Sequence, residues 1–257
     1  MKGVKRKGCE LLTIRQYTSW ALQTKKIKNN LILWECVSLF DKWTWIKRNW
    51  MYILEDASKL DLVFVGGTAL NLALFKEYRA SEDIDFYDPY SETIGTAHEE
   101  KMIKHLAKSL TKKGFQIQSK TERALLIGPN IKIEVFNDGT PFTKMEKKTI
   151  NQTQVLLFDV KTYANMKTTA LLCRSLYDAR DLVDLFIITK EAKITLSFPK
   201  HECEVIQNSY TERLEDIEKT TKEDLLIFQT IEQVNDLPYN EFETFKWWLH
   251  DWLSGFR

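Results

Sequence analysis

No stretch of this chain stays apolar for long enough to cross a bilayer. The longest apolar-leaning run near the start, Leu31 to Phe40, is interrupted by Glu35 and falls short of the ~20 residues a spanning helix needs. The basic start, Lys2 to Lys7, leads into no uninterrupted apolar segment, because Arg15 and Gln16 intrude, so no secretory signal is read. Cysteine is scarce: Cys9, Cys36, Cys173 and Cys203 show no paired spacing, which favours reduced thiols in the cytoplasm over a disulfide framework. His201 and Cys203 stand alone and make no zinc set. Residues 159–190 contain neither Gly nor Pro, which favours one long helix or a tightly joined pair. Without internal repeats or low-complexity tracts, the 257 residues, 44% of them hydrophobic, can bury a large core as one large domain or two small ones.

Net charge is also nearly absent, at +1, but the balance hides an asymmetry. Residues 1–28 carry eight Lys/Arg against Glu10, and residues 101–193 carry seventeen against nine acids, whereas residues 201–257 carry five against thirteen. A cationic central region suits a polyanionic partner such as nucleic acid. Lys101, Lys104, Lys108 and Lys112 repeat at helical spacing, so a solvated helix face is the competing reading.

Periodicity gives the coarse order of elements. Residues 10–60 read as helices rich in Trp, with Trp34, Trp43, Trp45 and Trp50 as core side chains. A strand at 62–65, a helix at 69–75, a strand over 83–86, a helix at about 96–113 and strands near 114–119, 122–128 and 131–136 follow. Asn137 to Pro141 is a turn, Lys144 to Thr149 reads as an exposed basic loop, and Gln154 to Phe158 as a strand. After Pro199 come three amphipathic helices. The last puts Phe242, Phe245, Leu249, Trp252 and Leu253 on one core stripe.

Chemistry concentrates in two short segments. Gly66 and Gly67 sit where an apolar strand meets a helix. Residues without Cβ allow a sharp turn and close approach to a ligand, and Thr68 can cap the helix or meet a phosphate oxygen. Asp83 and Asp85 alternate with Ile84 and Phe86, so on a strand both acids leave one face, roughly 7 Å apart at Cα. Carboxylate heads about 4 Å apart repel by roughly 4 kcal/mol at an effective dielectric of 20, a cost that an opposing charge must offset. Arg79 could supply it, which would make the segment a salt-bridged turn. A third acid, Glu134, stands on the polar face of the alternating run Ile131 to Phe136, and three acids on two strands would suit a hard cation such as Mg2+ or Mn2+.

The order Gly-Gly-Thr, Asp-Ile-Asp, then an isolated strand Glu resembles the DNA polymerase β-type nucleotidyltransferase superfamily. More narrowly, residues 66–86 look like the first motif of the AbiEii/AbiGii-type nucleotidyltransferase toxin family. Met166-Lys167 through Leu171 with Arg174, and Asp178 to Phe186, are similar to its later lysine and RDxxDL motifs. The likeness covers about residues 60–190. It implies an α+β fold: a nucleotidyltransferase-type mixed sheet (61–158) flanked by helices, with a helical N-terminal segment (1–60) and a helical C-terminal region (159–257) completing a cleft. It also implies metal-dependent transfer of a nucleoside monophosphate from an NTP to an acceptor hydroxyl. An RNA 3′ end, tRNA in the first place, would be the acceptor, and growth arrest and a cognate antitoxin would accompany it.

On that reading Asp83, Asp85 and Glu134 hold the metal and Lys167 serves the triphosphate. Gly66, Gly67, Thr68, Arg79, Asp181 and Asp184 complete the nucleotide site, with Asp184 or Asp181 holding that lysine or contacting the nucleotide. On one continuous helix Lys167, Arg174, Asp178 and Asp181 would share a face while Asp184 turns somewhat away, and pairing of Arg174 and Arg180 with the acids across one turn is the structural alternative. Nucleotidylation of a small molecule or a protein, and an inactive relative that binds nucleic acid, are the other functions the residues leave open.

Overall fold

The alternating run Ile131 to Phe136 becomes, in the computed structural model, a strand with one dry and one polar face inside a seven-stranded sheet. The structure describes residues 29–91, 96–140, 142, 144–197, 210–230, 233 and 236–255. The basic stretch at 1–28 and the His201/Cys203 pair lie outside them, as does the side chain of Trp34. The strands are β1 (Val63–Val65), β2 (Asp83–Tyr87), β3 (Ile117–Lys120), β4 (Ala124–Ile127), β5 (Ile131–Phe136), β6 (Met145–Ile150) and β7 (Thr153–Phe158). They lie in the order β3-β4-β5-β2-β1-β7-β6. Only β2/β5 and β1/β7 pair in parallel, so the sheet is mixed and the fold is α+β.

The helices are α1 (Asn29–Ser58), α2 (Gly66–Ala69, continued by a wider turn at Leu70–Leu74), α3 (Ala97–Lys112), α4 (Val160–Cys173), α5 (Ala179–Ala192), α6 (Tyr210–Lys219), α7 (Lys222–Leu225) and α8 (Tyr239–Ser254). On one face of the sheet Phe64, Ile84, Phe86, Ile131, Ile133 and Val135 are sealed from solvent, under α1 and α3. Trp50 of α1 lies 6.2 Å from Phe64, and Phe64 lies 5.7 Å from Phe86, ring centre to ring centre. Each such side chain contributes about 1.5–3 kcal/mol by burial, which fixes the register and leaves the alternate residues to the opposite face. Those alternates are Val63, Val65, Asp83, Asp85, Tyr87, Lys132, Glu134 and Phe136. Trp43 and Trp50 are buried as expected, Trp45 packs half-buried on Phe115, and Phe242, Leu249 and Leu253 form the buried stripe of α8. The lysines at 101, 104, 108 and 112 stand on the exposed face of α3.

One expectation needs correction. Lys144 to Thr149 is not a loop: residues 145–150 form edge strand β6, paired with β7 through a turn in which Asn151 and Gln152 adopt positive φ. Its central residues are exposed because a strand at the rim has no core to face, and lysines there discourage edge-to-edge association. Of the two readings of residues 159–190, the joined pair of helices is the one that forms. The chain leaves helical geometry at Arg174 and restarts at Asp178, whose side chain accepts from the Arg180 amide at 3.0 Å. A side-chain cap favours a new helix start at Asp178 without Gly or Pro.

Candidate active site

β1 ends in extended backbone at Val65, and the chain reverses at Gly66, whose φ of +76° is one that L side chains rarely adopt. A Cβ at Gly66 would clash with Asp85 Oδ2, and one at Gly67 would clash with the Arg79 guanidinium. Each glycine therefore makes room for a specific side chain. Asn71 locks the turn to the following loop: its amide donates to the Gly67 carbonyl (2.9 Å) and its Oδ1 accepts from the amides of Tyr78 (3.0 Å) and Arg79 (3.1 Å). Val65, not Thr68, is the N-cap. Thr68 is fully buried and donates its hydroxyl to the Asp83 carbonyl, which ties α2 to the start of β2. Gly66→Ala is expected to cost about 1–3 kcal/mol through strained φ and overpacking. An unchanged urea midpoint would contradict this account of the turn.

Asp83 and Asp85 leave the same face of β2. In register on β5, Lys132 stands beside Asp83 and Glu134 beside Asp85. The strip is walled by apolar neighbours: Val65 beside Asp85 on β1, and Leu126 and Ala124 beside Lys132 and Glu134 on β4. Burial, then the Asp83 charge, push the Asp85 carboxyl up to about 7. Glu134 adds to this, and Lys132 and Lys167 only partly offset it. Burial also raises Asp83. Burial works against the Lys132 ammonium, but Glu134, Asp83 and Asp85 outweigh it and shift Lys132 upward. The strip is thus short of positive charge, and two half-buried aspartates with oxygen donors fit a hard divalent cation. Glu134 shares their face, but Lys132 Nζ holds its Oε2 at 2.6 Å. Among the described residues no three His, Cys, Asp or Glu side chains converge on one metal position.

Arg79 is not the counter-ion of this pair. It is buried, and its guanidinium grips Asp184 with Nε to Oδ1 and Nη2 to Oδ2 both at 2.6 Å, while Nη1 donates to the Ala80 carbonyl at 2.7 Å. Nor does Asp184 turn away from Lys167. Because α4 and α5 are separate helices, Lys167 Nζ meets Asp181 Oδ1 at 2.8 Å and Asp184 Oδ2 at 2.6 Å, and Tyr78 adds a hydrogen bond to Asp184 at 2.7 Å. Burial would raise Asp184, but Arg79 and Lys167 outweigh it and hold the carboxyl well below the ordinary range. Burial would lower Lys167, yet Asp181 and Asp184 shift it upward.

Outside this core, Arg174 pairs with Asp178 (3.0 Å) and Asp181 (3.2 Å), and Arg180 pairs with Asp178 (2.8 Å) and Glu82 (3.0 Å). The structure therefore brings Asp83, Asp85 and Glu134 onto one face and gathers Arg79, Lys167, Asp181 and Asp184 into a buried network beneath the glycine turn. Sequence reasoning missed Lys132, Asn71 and Tyr78. The strict alternation that exposes Glu134 places Lys132 on the same face, so its signal was present. A cavity of about 880 Å3 is lined by Lys42, Glu82, Tyr177, Asp178, Arg180 and Phe228 among others; Asp83 and Asp85 do not line it.

The family described as "Nucleotidyl transferase AbiEii toxin, Type IV TA system" matches residues 52–246. No curated protein matches the chain. Among solved structures, an antigenic nucleotidyltransferase-like protein from Paracoccidioides brasiliensis is similar over 64% of this chain and 85% of that one, at 16% identity and a TM-score of 0.44. The antibiotic-resistance factor ANT(2'')-Ia is similar over 65% of this chain and 91% of that one, at 13% identity and a TM-score of 0.39. The family match spans every strand of the carboxylate strip and both helices of the buried network, and the chain belongs to the AbiEii nucleotidyl transferase toxin family of type IV toxin-antitoxin systems.

Proposed function

We propose that this member of a nucleotidyl transferase family moves a nucleoside monophosphate from an NTP to the 3′ hydroxyl of an RNA, tRNA in the first place. Transfer requires Mg2+ or Mn2+ held by Asp83 and Asp85. The observation that carries the reading is the contact between Gly66 and Asp85: a turn that admits close approach abuts a half-buried carboxylate short of positive charge. Family membership supports the nucleotidyl transfer, and the lysines of α3 and β6 support a polyanionic acceptor. A cognate antitoxin is the partner implied by a type IV system. Among the described residues no helix is long and apolar enough to cross a membrane. NTP and RNA as the proposed substrates support a cytoplasmic activity.

In the reaction the acceptor oxygen attacks the α-phosphorus, a new P–O bond forms, and the bond to the bridging oxygen of the departing pyrophosphate breaks. Asp83 and Asp85 would hold the cation, which when bound would supply charge neutralisation on the triphosphate and acidify the attacking hydroxyl. The chain's own residues do the rest. Gly66 and Gly67 let the backbone approach the phosphates, and Thr68 fixes the start of β2 through the Asp83 carbonyl. Glu134, on the same face as Asp85, is the proton acceptor for the attacking hydroxyl. Lys167 is held by Asp181 and Asp184 within electrostatic reach of Asp85, from where it balances triphosphate charge. Arg79 orients Asp184 and backs Gly67 rather than touching nucleotide.

The test incubates the protein with each labelled NTP, Mg2+ and total cellular RNA, with Asp85→Ala as control. Label is expected at RNA 3′ ends with the wild type and not with the variant, and label in no RNA would remove the acceptor assignment. One observation favours a second reading, nucleotidylation of a small cationic molecule: the cavity beside Glu82 also presents Asp178, Asp216 and Asp224. Label in the small-molecule fraction of the same incubation would select it.

A further inference from the structure

The cations around the carboxylate strip differ in what holds them. Lys167 is fixed by Asp181 and Asp184, Lys42 by Glu82, and Arg180 by Asp178 and Glu82. Lys132 alone among these has its salt bridge inside the strip: it bonds Glu134, and in register it stands beside Asp83. Its other strand neighbour, Leu126 on β4, offers no competing charge. Its side chain is 42% exposed, so the four-carbon stem is free to swing outward.

We propose that Lys132 is a resident counter-ion of the strip, whose ammonium occupies Glu134 and balances Asp83 until a cation carried by a triphosphate replaces it. This rests on the reading of Asp83 and Asp85 as cation ligands. A bare divalent ion must compete with the ammonium for the carboxylates, and it brings nothing for the displaced ammonium to bind. An ion arriving on a triphosphate brings phosphate oxygens to which Lys132 can turn, which also frees Glu134 to accept a proton. The strip therefore discriminates against bare metal and takes metal with nucleotide. In the nucleotide-free protein Lys132 acts through Asp83 and Glu134.

The experiment titrates Mn2+ into the nucleotide-free protein and follows free Mn2+ by electron paramagnetic resonance. Wild type, K132M and K132R are compared, with K132Q as a second neutral variant should K132M not fold. The neutral variants are expected to bind Mn2+ at least tenfold tighter than wild type, and K132R to bind as weakly as wild type. Equal affinity in all the proteins, or no binding by the neutral variants, overturns the proposal. The titration involves no transfer step, so tighter binding by K132M without any nucleotide transfer by the wild type would sustain this role and reject the proposed function.

Discussion

Asp85→Asn is expected to lower nucleotidyl transfer by at least about a thousandfold and yet to raise the melting temperature of the nucleotide-free protein. The first effect follows from removing an anionic oxygen donor from the reacting centre, where electrostatic stabilisation is the largest contribution to rate. The second follows from the sign of the Asp85 shift. Burial and the neighbouring Asp83 and Glu134 lift its carboxyl to about 7, above an ordinary aspartate. Ionising it in the folded state therefore costs stability, by an amount that is absent below about pH 4, grows as pH rises and is complete above about pH 7. For a half-buried group this is of the order of 2–4 kcal/mol. Melting curves without divalent cation should show wild type and Asp85→Asn alike near pH 4 and the variant clearly more stable at pH 8. Adding Mg2+ with a non-hydrolysable NTP analogue should narrow the gap, because only the wild type binds them well. A variant less stable at every pH would contradict the electrostatic account of the strip.

Asp184→Ala is expected to be the most damaging single change for folding, at about 3–5 kcal/mol. Asp184 is fully buried and is the shared partner of Arg79 and Lys167, so its loss leaves the buried Arg79 guanidinium without a carboxylate and Lys167 with Asp181 alone. That is a large share of the 5–15 kcal/mol typical of a whole domain. Because Arg79 also fills the space at Gly67, the loss should loosen the glycine turn as well. Urea midpoints measure the effect directly. Removing one cation along with the acid should recover part of it, so the double variant Asp184→Ala/Lys167→Met should lose less than the sum of the single losses. The native carboxyl lies below the ordinary range, so its contribution is present above about pH 4 and fades as pH falls further. Additive losses would mean that the network is not coupled as its distances indicate.

How legible these features were depended on how local they are. β1, β2 and β5 stood out because alternation and short apolar runs are local signals, and the same alternation put Asp83, Asp85 and Glu134 on one face. β6 was misread because an edge strand has no buried side to impose a period: its central residues, Glu146, Lys147, Lys148 and Thr149, are all exposed. The partner of Arg79 was not legible. Nearness in sequence pointed to the aspartate pair, whereas the bond it makes is to a residue 105 positions away, brought in by the packing of α5. The place of Asp184 hung on one feature: a continuous helix would turn it away from Lys167, and the break at Arg174 to Asp178 turns it back. Thr68 has the residue type of a cap but lies one turn too deep, where its hydroxyl serves Asp83 instead.

The central claim, transfer of the α-phosphoryl nucleotide by the Asp83/Asp85 strip, has a direct test. Wild type and Asp85→Asn are incubated with cellular RNA, Mg2+ and each NTP labelled either at the α- or at the γ-phosphate. The account predicts that the wild type moves α-label into RNA and releases γ-label as pyrophosphate, and that Asp85→Asn does neither. Transfer of γ-label, or undiminished transfer by Asp85→Asn, would contradict it.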